Sequence, residues 1–408
     1  MQGLEPYDGA PTEEIRGAVR TAFESLIELC LTEEVDFLVL AGDLYDGDWR
    51  DFNTGLYFVS QMVRLREADI PVFIVHGNHD AQSQITRQLP LPQNVRVFSS
   101  TEAETHFLED LKVAFHGQSF PTQHVTDNLV TNYPKPVQGY FNIGLLHTAI
   151  EGYSGHASYA PCSMQQLTSF GYDYWALGHV HQYQILSEDP YVVFPGNLQG
   201  RHVRETGSKG CCVVEIEDAR VLDVKHHPLD NVRWASPSLD VSNYASIEEV
   251  KEGIKNILSE EFSKARPRVL AVRLNLMGQT SLHSELVRDA NELTNSVRAI
   301  ATDLGSGEIY LEKIKITATP ANHDVELTEI PSDALSLISS ESKTLVIEGQ
   351  LIEALGSNVR SLLDRLPPTL KARADNLNLE DPKVVHQILT EAQGMILGHL
   401  AEEEEEGS

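Results

Sequence analysis

Two periods of hydrophobic spacing alternate along the first part of the chain. Apolar residues recur at helical spacing over 15–30, behind Thr12, which we predict to be the N-cap of a helix. A short apolar run over 35–40 predicts a buried strand, and the two patterns repeat as a helix over 52–66 and a strand over 72–75. Helices that alternate with strands predict a sheet with covering helices.

Short strands separated by loops replace this alternation from residue 111 onward. The predicted strands, each of which is a short apolar run, cover residues 111–115, 142–146, 172–177, 192–194 and 211–216. We place the end of the first domain near residue 230, so that this domain covers residues 1–230.

A smaller α+β pattern follows over residues 231–320. Ser246 and Glu249 have the spacing of a capping box, and the apolar stripe behind them predicts a helix. Apolar residues alternate over 270–276, which predicts a strand. A second helix and a last strand are predicted over 281–301 and around 314–316. We therefore predict a second, compact domain over residues 231–320.

Composition divides the rest of the chain into three segments. Residues 321–345 are polar and rich in Ser and Thr, which predicts a linker. Residues 346–400 carry apolar stripes at helical spacing and are predicted to be helical. Residues 401–408 contain five consecutive glutamates and are predicted to be a disordered acidic tail.

Metal-ligating residue types follow several of the predicted strands. Asp43 and Asn78 come shortly after two of them, and His147, His179 and His181 follow two others. Such residues are common in ordinary turns, so none of them would be informative alone. The carboxyl ends of neighbouring strands meet at one edge of a sheet, where α/β proteins bind their ligands. The set as a whole therefore predicts a metal site.

This set of ligands favours phosphate chemistry at two metal ions. Asp43 can bridge two cations, while Asn78, His147 and His179 complete one site and His181 reaches the other. Two divalent ions about 4 Å apart activate water, hold a phosphodiester and stabilise the leaving oxygen. His79 lies beside the ligand Asn78 and is predicted to act as a general acid or to bind the phosphate. Four other histidines are predicted to be loop or supporting residues: His76, His116, His156 and His202.

The charge balance argues against autonomous DNA binding. The 408 residues include 60 acidic and 31 basic side chains, which gives a formal net charge of −29. Proteins that bind nucleic acids usually have a basic surface, because phosphate contacts dominate the affinity. Bound cations can reverse the sign of the field locally, so phosphate chemistry at a metal centre is compatible with this composition.

Composition also bears on the compartment. The sequence has no apolar stretch of the roughly 20 residues that a membrane-spanning helix needs, so we expect no membrane association. The four cysteines do not form metal-type pairs, and we expect free thiols in a reducing environment. A signal peptide is not recognisable at the N-terminus. We therefore expect a cytoplasmic protein.

Four short motifs resemble those of the calcineurin-like metallophosphoesterases. They are Gly42-Asp43, Gly77-Asn78-His79-Asp80, Leu146-His147 and Gly178-His179-Val180-His181. Longer segments are similar to the DNA repair exonucleases of the SbcD type, and within them to the YhaO branch; these segments cover residues 41–49, 116–120, 172–179 and 194–202. The resemblance covers nearly the whole chain up to about residue 330.

The resemblance implies an α+β fold in which a four-layer αββα sandwich holds two Mn²⁺ ions. It implies that a small capping domain, matching residues 231–320, helps to place DNA. It also implies that helices in 346–400 dock on an SMC-like ATPase of the SbcC or YhaN type, and it suggests a homodimer. Such a partner could supply the basic surface that this chain lacks.

The sequence departs from the family pattern at one point. The family opens with a strand that ends in Asp-x-His, and these two residues bind the first metal ion. This chain has no such strand, because Met1-Gln2-Gly3-Leu4 aligns just after the motif. The first ion would then keep only Asp43 and His181. We expect a truncated gene model, and the alternative is a genuine one-metal or inactive protein.

Three functions remain possible from the sequence. The first is a Mn²⁺-dependent phosphodiesterase that acts as a DNA exonuclease subunit. The second is a phosphoesterase for small nucleotides. The third is a catalytically impaired scaffold subunit that binds an ATPase.

Overall fold

The computed structural model describes residues 11–44, 52–82, 90–150 and 159–321. Within these residues, the chain forms two compact units. The first contains the described residues up to Ser236 together with Glu261–Val272 and Gly307–Glu312, and the second contains Pro237–Glu260, Arg273–Ser306 and residues 313–321. The contiguous domains 1–230 and 231–320 stay a prediction, and the predicted linker, C-terminal helices and acidic tail lie outside the described residues.

Two helices and three short parallel strands form one half of the first unit. The elements are α1 (Thr12–Thr32), β1 (Leu38–Leu40), α2 (Phe52–Glu67), β2 (Val72–Ile74) and β3 (Val95–Val97), with the strand order β1-β2-β3. The helices bury apolar stripes, which include Ile27 and Met62, in a core shared with the sheet. Thr12 is the first helical residue rather than the N-cap; Pro11 occupies that position, and its lack of a side-chain acceptor leaves the helix without a side-chain cap.

A six-stranded sheet forms the other half of the first unit. Its strands are β4 (Glu104–Leu108), β5 (Val113–Gly117), β6 (Phe141–His147), β7 (Tyr174–Gly178), β8 (Gln184–Glu188) and β9 (Tyr191–Phe194). The order is β4-β5-β6-β7-β9-β8, with parallel pairing from β5 to β9 and antiparallel pairing at both edges. Every residue of β6 is buried, as expected for a parallel strand covered on both faces.

The two sheets pack face to face through an aromatic core. Phe73 of β2 stacks on Phe115 of β5 with ring centroids 3.8 Å apart, and Leu145 lies fully buried in the same core. The outer face of the six-stranded sheet, centred on Trp175, is covered by α3 (Met164–Ser169) and a neighbouring 3₁₀ turn. The layers therefore run helix, sheet, sheet, helix, and the predicted four-layer αββα sandwich is confirmed.

A β-hairpin and one further strand also belong to the first unit. A hairpin of β10 (Gly210–Glu217) and β11 (Arg220–Pro228) packs apolar residues, among them Val224, into the core between the sheets. β12 (Val232–Ala235) pairs in parallel with the start of β14 (Val269–Met277). Trp234 in β12 is buried and donates a hydrogen bond from Nε1 to the carbonyl oxygen of Gly200.

The remaining elements belong mainly to the second unit and agree in type with the predicted α+β pattern. They are β13 (Ser238–Asp240), α4 (Ile247–Ala265), β15 (Gln279–Thr280), α5 (His283–Arg288), α6 (Ala290–Gly305), β16 (Ile309–Ile316) and β17 (Thr319–Pro320). At the start of α4, Ser246 Oγ accepts from the backbone N–H of Glu249. The Glu249 carboxylate accepts from the N–H of Ala245, one residue earlier than in a capping box.

The segment predicted to be helical over 281–301 is helical, but it forms two helices that are divided at Asp289. Asp289 ends α5 through a bond from its N–H to the carbonyl of Glu285, and its own carbonyl accepts the first bond of α6 from Leu293. The Asp289 side chain pairs with Arg288. Asp is a poor residue for a helix interior and favours helix ends, which explains the break.

Among the helices that the structure describes, none combines the length and the hydropathy needed to cross a bilayer.

Candidate metal centre

Four strand ends of the first unit supply the candidate ligands. Asp43 follows β1, Asn78 follows β2, His147 is the last residue of β6, and His179 comes directly after β7. The two sheets touch here, since the His147 ring hydrogen-bonds the carbonyl oxygen of Ala41 at 3.0 Å. The sandwich therefore brings the ends of strands from both sheets to one place.

Three of the predicted ligands converge. Asp43, His147 and His179 each offer a ligand atom, and these three atoms all lie within 4.8 Å of one another. One carboxylate and two imidazoles form a donor set that suits first-row divalent ions such as Mn²⁺, Fe²⁺ and Zn²⁺. The geometry and the chemistry of these residues therefore fit a divalent cation.

The surroundings of His147 strengthen this fit. The side chain is fully buried, and burial is the main cause that lowers the pKa of His147, against the opposing charge of Asp43 and the bond to Ala41. The neutral ring carries one hydrogen, and the Ala41 carbonyl places it on Nδ1. The Nε2 lone pair then faces Asn78 Oδ1 at 2.9 Å and Asp43 Oδ2 at 3.5 Å. Three atoms with lone pairs thus face one another, and a bound cation would interact favourably with all three.

The turn after β2 orders the carboxylate of Asp43. The backbone N–H of His79 donates to Asp43 Oδ1 at 3.1 Å, which leaves Oδ2 on the side of His147. The buried Asp80 closes the same turn by accepting from the N–H of Gly77 at 2.9 Å. The His79 side chain is half-buried, and its charge acts on His147. The structure thus places His79 beside the cluster, and its predicted catalytic role stays a prediction.

Glycine is required at two positions because the backbones and ligands approach so closely. A Cβ on Gly77 would lie 2.4 Å from Asp43 Oδ1 and 2.6 Å from His147 Cε1. A Cβ on Gly178 would lie 1.7 Å from the carbonyl oxygen of Ala41. Two of the candidate ligands also have left-handed backbone angles, with φ of +54° at Asp43 and +103° at His179. Such strained residues cluster at functional sites.

His181 is not part of the three-residue cluster. Its side chain is 37% exposed, and its Nδ1 lies 2.7 Å from Glu205 Oε1. It is close enough for its charge to lower the pKa of His147. The structure therefore places the fifth predicted ligand beside the cluster, on a loop and with a carboxylate partner of its own.

Sequence reasoning missed Glu205. This carboxylate is only 7% exposed and accepts hydrogen bonds from His181, from Asn197 Nδ2 and from the backbone N–H of Arg201. Burial alone would raise the pKa of Glu205, but the bonds from His181 and Arg201 hold it at about 2. Glu205 lies 24 positions after His181, beyond the last segment that carries the family resemblance, so no local pattern pointed to it.

The other histidines and arginines have varied surroundings. His116 is buried, stacks on Tyr172 and hydrogen-bonds Asn142, which is a supporting role as predicted. His202 and Arg201 lie near the Glu205 carboxylate, at 3.7 and 4.0 Å. His156 lies outside the described residues. The first ten residues, to which the expectation of a missing Asp-x-His motif refers, lie outside them as well.

Two family models match the chain. The model of calcineurin-like phosphoesterases matches residues 17–183, a range that includes Asp43, Asn78, His147, His179 and His181. The model of the middle domain of metallophosphoesterase YhaO matches residues 234–319. The first match lies in the first unit and the second lies mostly in the second unit.

Known relatives agree with the family models. The uncharacterized metallophosphoesterase YhaO of Bacillus subtilis (strain 168) is 33% identical over 268 residues, which is 65% of this chain and 65% of that protein. The chain thus spans just under two thirds of the length of this relative. The DNA double-strand break repair protein Mre11 of Thermoplasma acidophilum is 23% identical over 292 residues, covering 68% of this chain and 75% of that protein.

A solved structure, TT1561 of Thermus thermophilus, aligns over 50% of this chain and 92% of its own chain with 15% identity and a TM-score of 0.31. The motifs at the strand ends, the four-layer sandwich and the two family models lead to one conclusion. The chain is similar to the calcineurin-like metallophosphoesterases over residues 17–183 and to the group that includes YhaO over residues 234–319.

Proposed function

We propose that this protein is a phosphodiesterase that depends on divalent metal ions and cleaves DNA as an exonuclease subunit. The observation that carries the proposal is the convergence of Asp43, His147 and His179, whose ligand atoms lie within 4.8 Å of one another. Asn78 would complete this site, and His181 and Asp43 would hold the other cation, which is the first metal ion of the family pattern. Mn²⁺ is the proposed metal, because carboxylate, amide and imidazole ligands suit it.

The chain's own groups would divide the work between metal binding and proton transfer. A divalent pair, when bound, supplies Lewis acidity and lowers the pKa of water, which phosphodiester hydrolysis requires. The Ala41 carbonyl keeps the hydrogen of His147 on Nδ1, so that Nε2 is available as a ligand. The backbone bond from His79 to Asp43 fixes the start of the turn that carries the His79 ring. We assign to this ring the binding of the phosphate and the protonation of the leaving oxygen.

The substrate proposal draws on the relatives and on charge. The Thermoplasma relative is described as a DNA double-strand break repair protein. A net charge of −29 opposes DNA binding by this chain alone, so we propose that an SMC-like ATPase of the SbcC or YhaN type supplies the basic surface. The assembly would be a homodimer in the cytoplasm, where the four free cysteines stay reduced.

A phosphoesterase for small nucleotides is the second candidate. The same net charge favours it, because a small substrate contacts the metal centre without lying along an acidic surface. The two candidates share the metal site and differ only in what reaches it.

The test measures Mn²⁺-dependent turnover of a small phosphodiester and of duplex DNA. His147→Ala should lower kcat/KM by at least about 100-fold, since even outer partners of a metal ligand are worth about 10–100-fold. His227→Ala on β11 is the matched control and should keep the wild-type rate. DNA cleavage that appears only with the ATPase supports the first candidate, and turnover of small substrates alone supports the second. Full turnover by His147→Ala would refute the site.

A further inference from the structure

One loop of the first unit holds His181 at two points. The Glu205 carboxylate accepts from the ring at 2.7 Å, and the Lys209 ammonium donates to the carbonyl oxygen of His181 at 2.5 Å. Lys209 is buried, with 4% of its surface exposed. The ring and the backbone of this candidate ligand are therefore both fixed by residues that lie 24 and 28 positions later in the chain.

Glu205 is itself built into its surroundings. Its Oε2 accepts from the backbone N–H of Arg201 at 2.7 Å and from Asn197 Nδ2 at 3.1 Å. These two donors occupy one oxygen and leave Oε1 for His181. A buried carboxylate is costly unless its oxygens are hydrogen-bonded, so this arrangement orders the acceptor before any ligand arrives.

The bond determines which ring nitrogen of His181 can bind a metal ion. A carboxylate only accepts, so the shared hydrogen lies on Nδ1, and in the neutral ring Nε2 then keeps its lone pair. Imidazole ligands in proteins commonly donate their other N–H to a carboxylate, which fixes the ring and increases its basicity. A ring that is 37% exposed has few packing contacts to hold it otherwise.

We propose that Glu205 is the positioning residue for His181 and sets the affinity of the divalent cation that His181 would hold. This inference rests on the proposed function, because it requires that His181 binds a cation. A role limited to closing its own loop is the competing explanation. If Glu205 positions His181, replacing Glu205 should have no further effect once the His181 ring is absent. If Glu205 only closes its own loop, replacing it should have an effect that does not depend on His181.

The first experiment measures Mn²⁺ binding to the full chain by titration, with wild type, His181→Ala, Glu205→Gln, Glu205→Ala and the double variant His181→Ala/Glu205→Ala. The Glu205 variants should weaken the binding of the cation that depends on His181 by about 10–100-fold and leave the affinity for the other cation unchanged. In the double variant, binding should equal that of His181→Ala alone, because coupled residues are non-additive. Asn197→Ala is the control and should have a smaller effect, since it removes a donor from the oxygen that does not contact His181.

A second measurement needs no metal. In the metal-free protein labelled with ¹⁵N-histidine, NMR should show the hydrogen of the neutral His181 ring on Nδ1 in wild type. In Glu205→Ala, it should show a mixture of the two tautomers. An unchanged tautomer together with unchanged Mn²⁺ affinity in folded Glu205 variants would overturn the positioning role while the proposed function stood. A wild-type protein that binds no Mn²⁺ and hydrolyses no phosphodiester would overturn both.

Discussion

The two parts of the candidate centre are held in different ways. Asp43, His147 and His179 lie at strand ends, and His147 is fully buried and bonded to a backbone carbonyl of the other sheet. His181 is 37% exposed and depends on a carboxylate from a distant loop. The cluster is therefore positioned by the sheets of the sandwich, whereas the position of His181 depends on the loop that carries Glu205. Substitutions that disturb the packing of the sheets should therefore disrupt the cluster, and substitutions in the loop should affect only His181.

The largest effect is expected where the two sheets meet. In Gly178→Ala the new Cβ would lie 1.7 Å from the Ala41 carbonyl oxygen, so β1 and β7 must separate. Overpacking of this kind costs about 1–3 kcal/mol and occasionally more, and contact with an immobile backbone atom favours the upper end. Urea unfolding of the metal-free protein measures the free energy of unfolding.

Gly17→Ala provides the control for this substitution. Gly17 lies in α1, and a Cβ there would meet nothing within 4 Å. Alanine in a helix should then stabilise the protein by about 0.5–1 kcal/mol. If Gly178→Ala unfolds at the same urea concentration as wild type, the junction of the two sheets is not as tight as described.

A smaller effect is expected on the stability that the protein gains when it binds metal. This gain should differ between variants of the cluster and variants of His181. A cation that binds only the folded chain stabilises it by RT ln(1 + [L]/Kd), about 2.7 kcal/mol at 100 times Kd. Saturating Mn²⁺ should raise the Tm of wild type, and His179→Ala should lose most of this increase. His181→Ala should lose less, because the remaining cluster still binds one cation. Equal losses in the two variants, measured by thermal unfolding with and without EDTA, would mean that the parts are not independent.

The difference between the parts also explains what the sequence predicted. The candidate ligands Asp43, Asn78, His147 and His179 follow apolar runs, so their positions at strand ends could be predicted from local patterns and from the topology of a sheet. Glu205 acts across 24 positions through a loop, and no periodic pattern encodes such a pairing. The break at Asp289 was missed for a related reason, because apolar spacing continues through it while a single residue ends one helix and begins the next.

The smallest expected effect tests whether the loop does more than hold His181. Arg201→Ala removes a guanidinium 4.0 Å from Glu205 but keeps the backbone N–H that bonds the carboxylate. This ion pair is partly exposed, and such pairs contribute about 0–1 kcal/mol, so Mn²⁺ affinity should change by no more than about fivefold. If Arg201 instead contacts the phosphate of the substrate, KM should rise while kcat and metal affinity stay near wild type. A loss of Mn²⁺ affinity as large as that in Glu205→Gln would place Arg201 with Glu205 among the residues that hold His181, and the loop would then have one function rather than two.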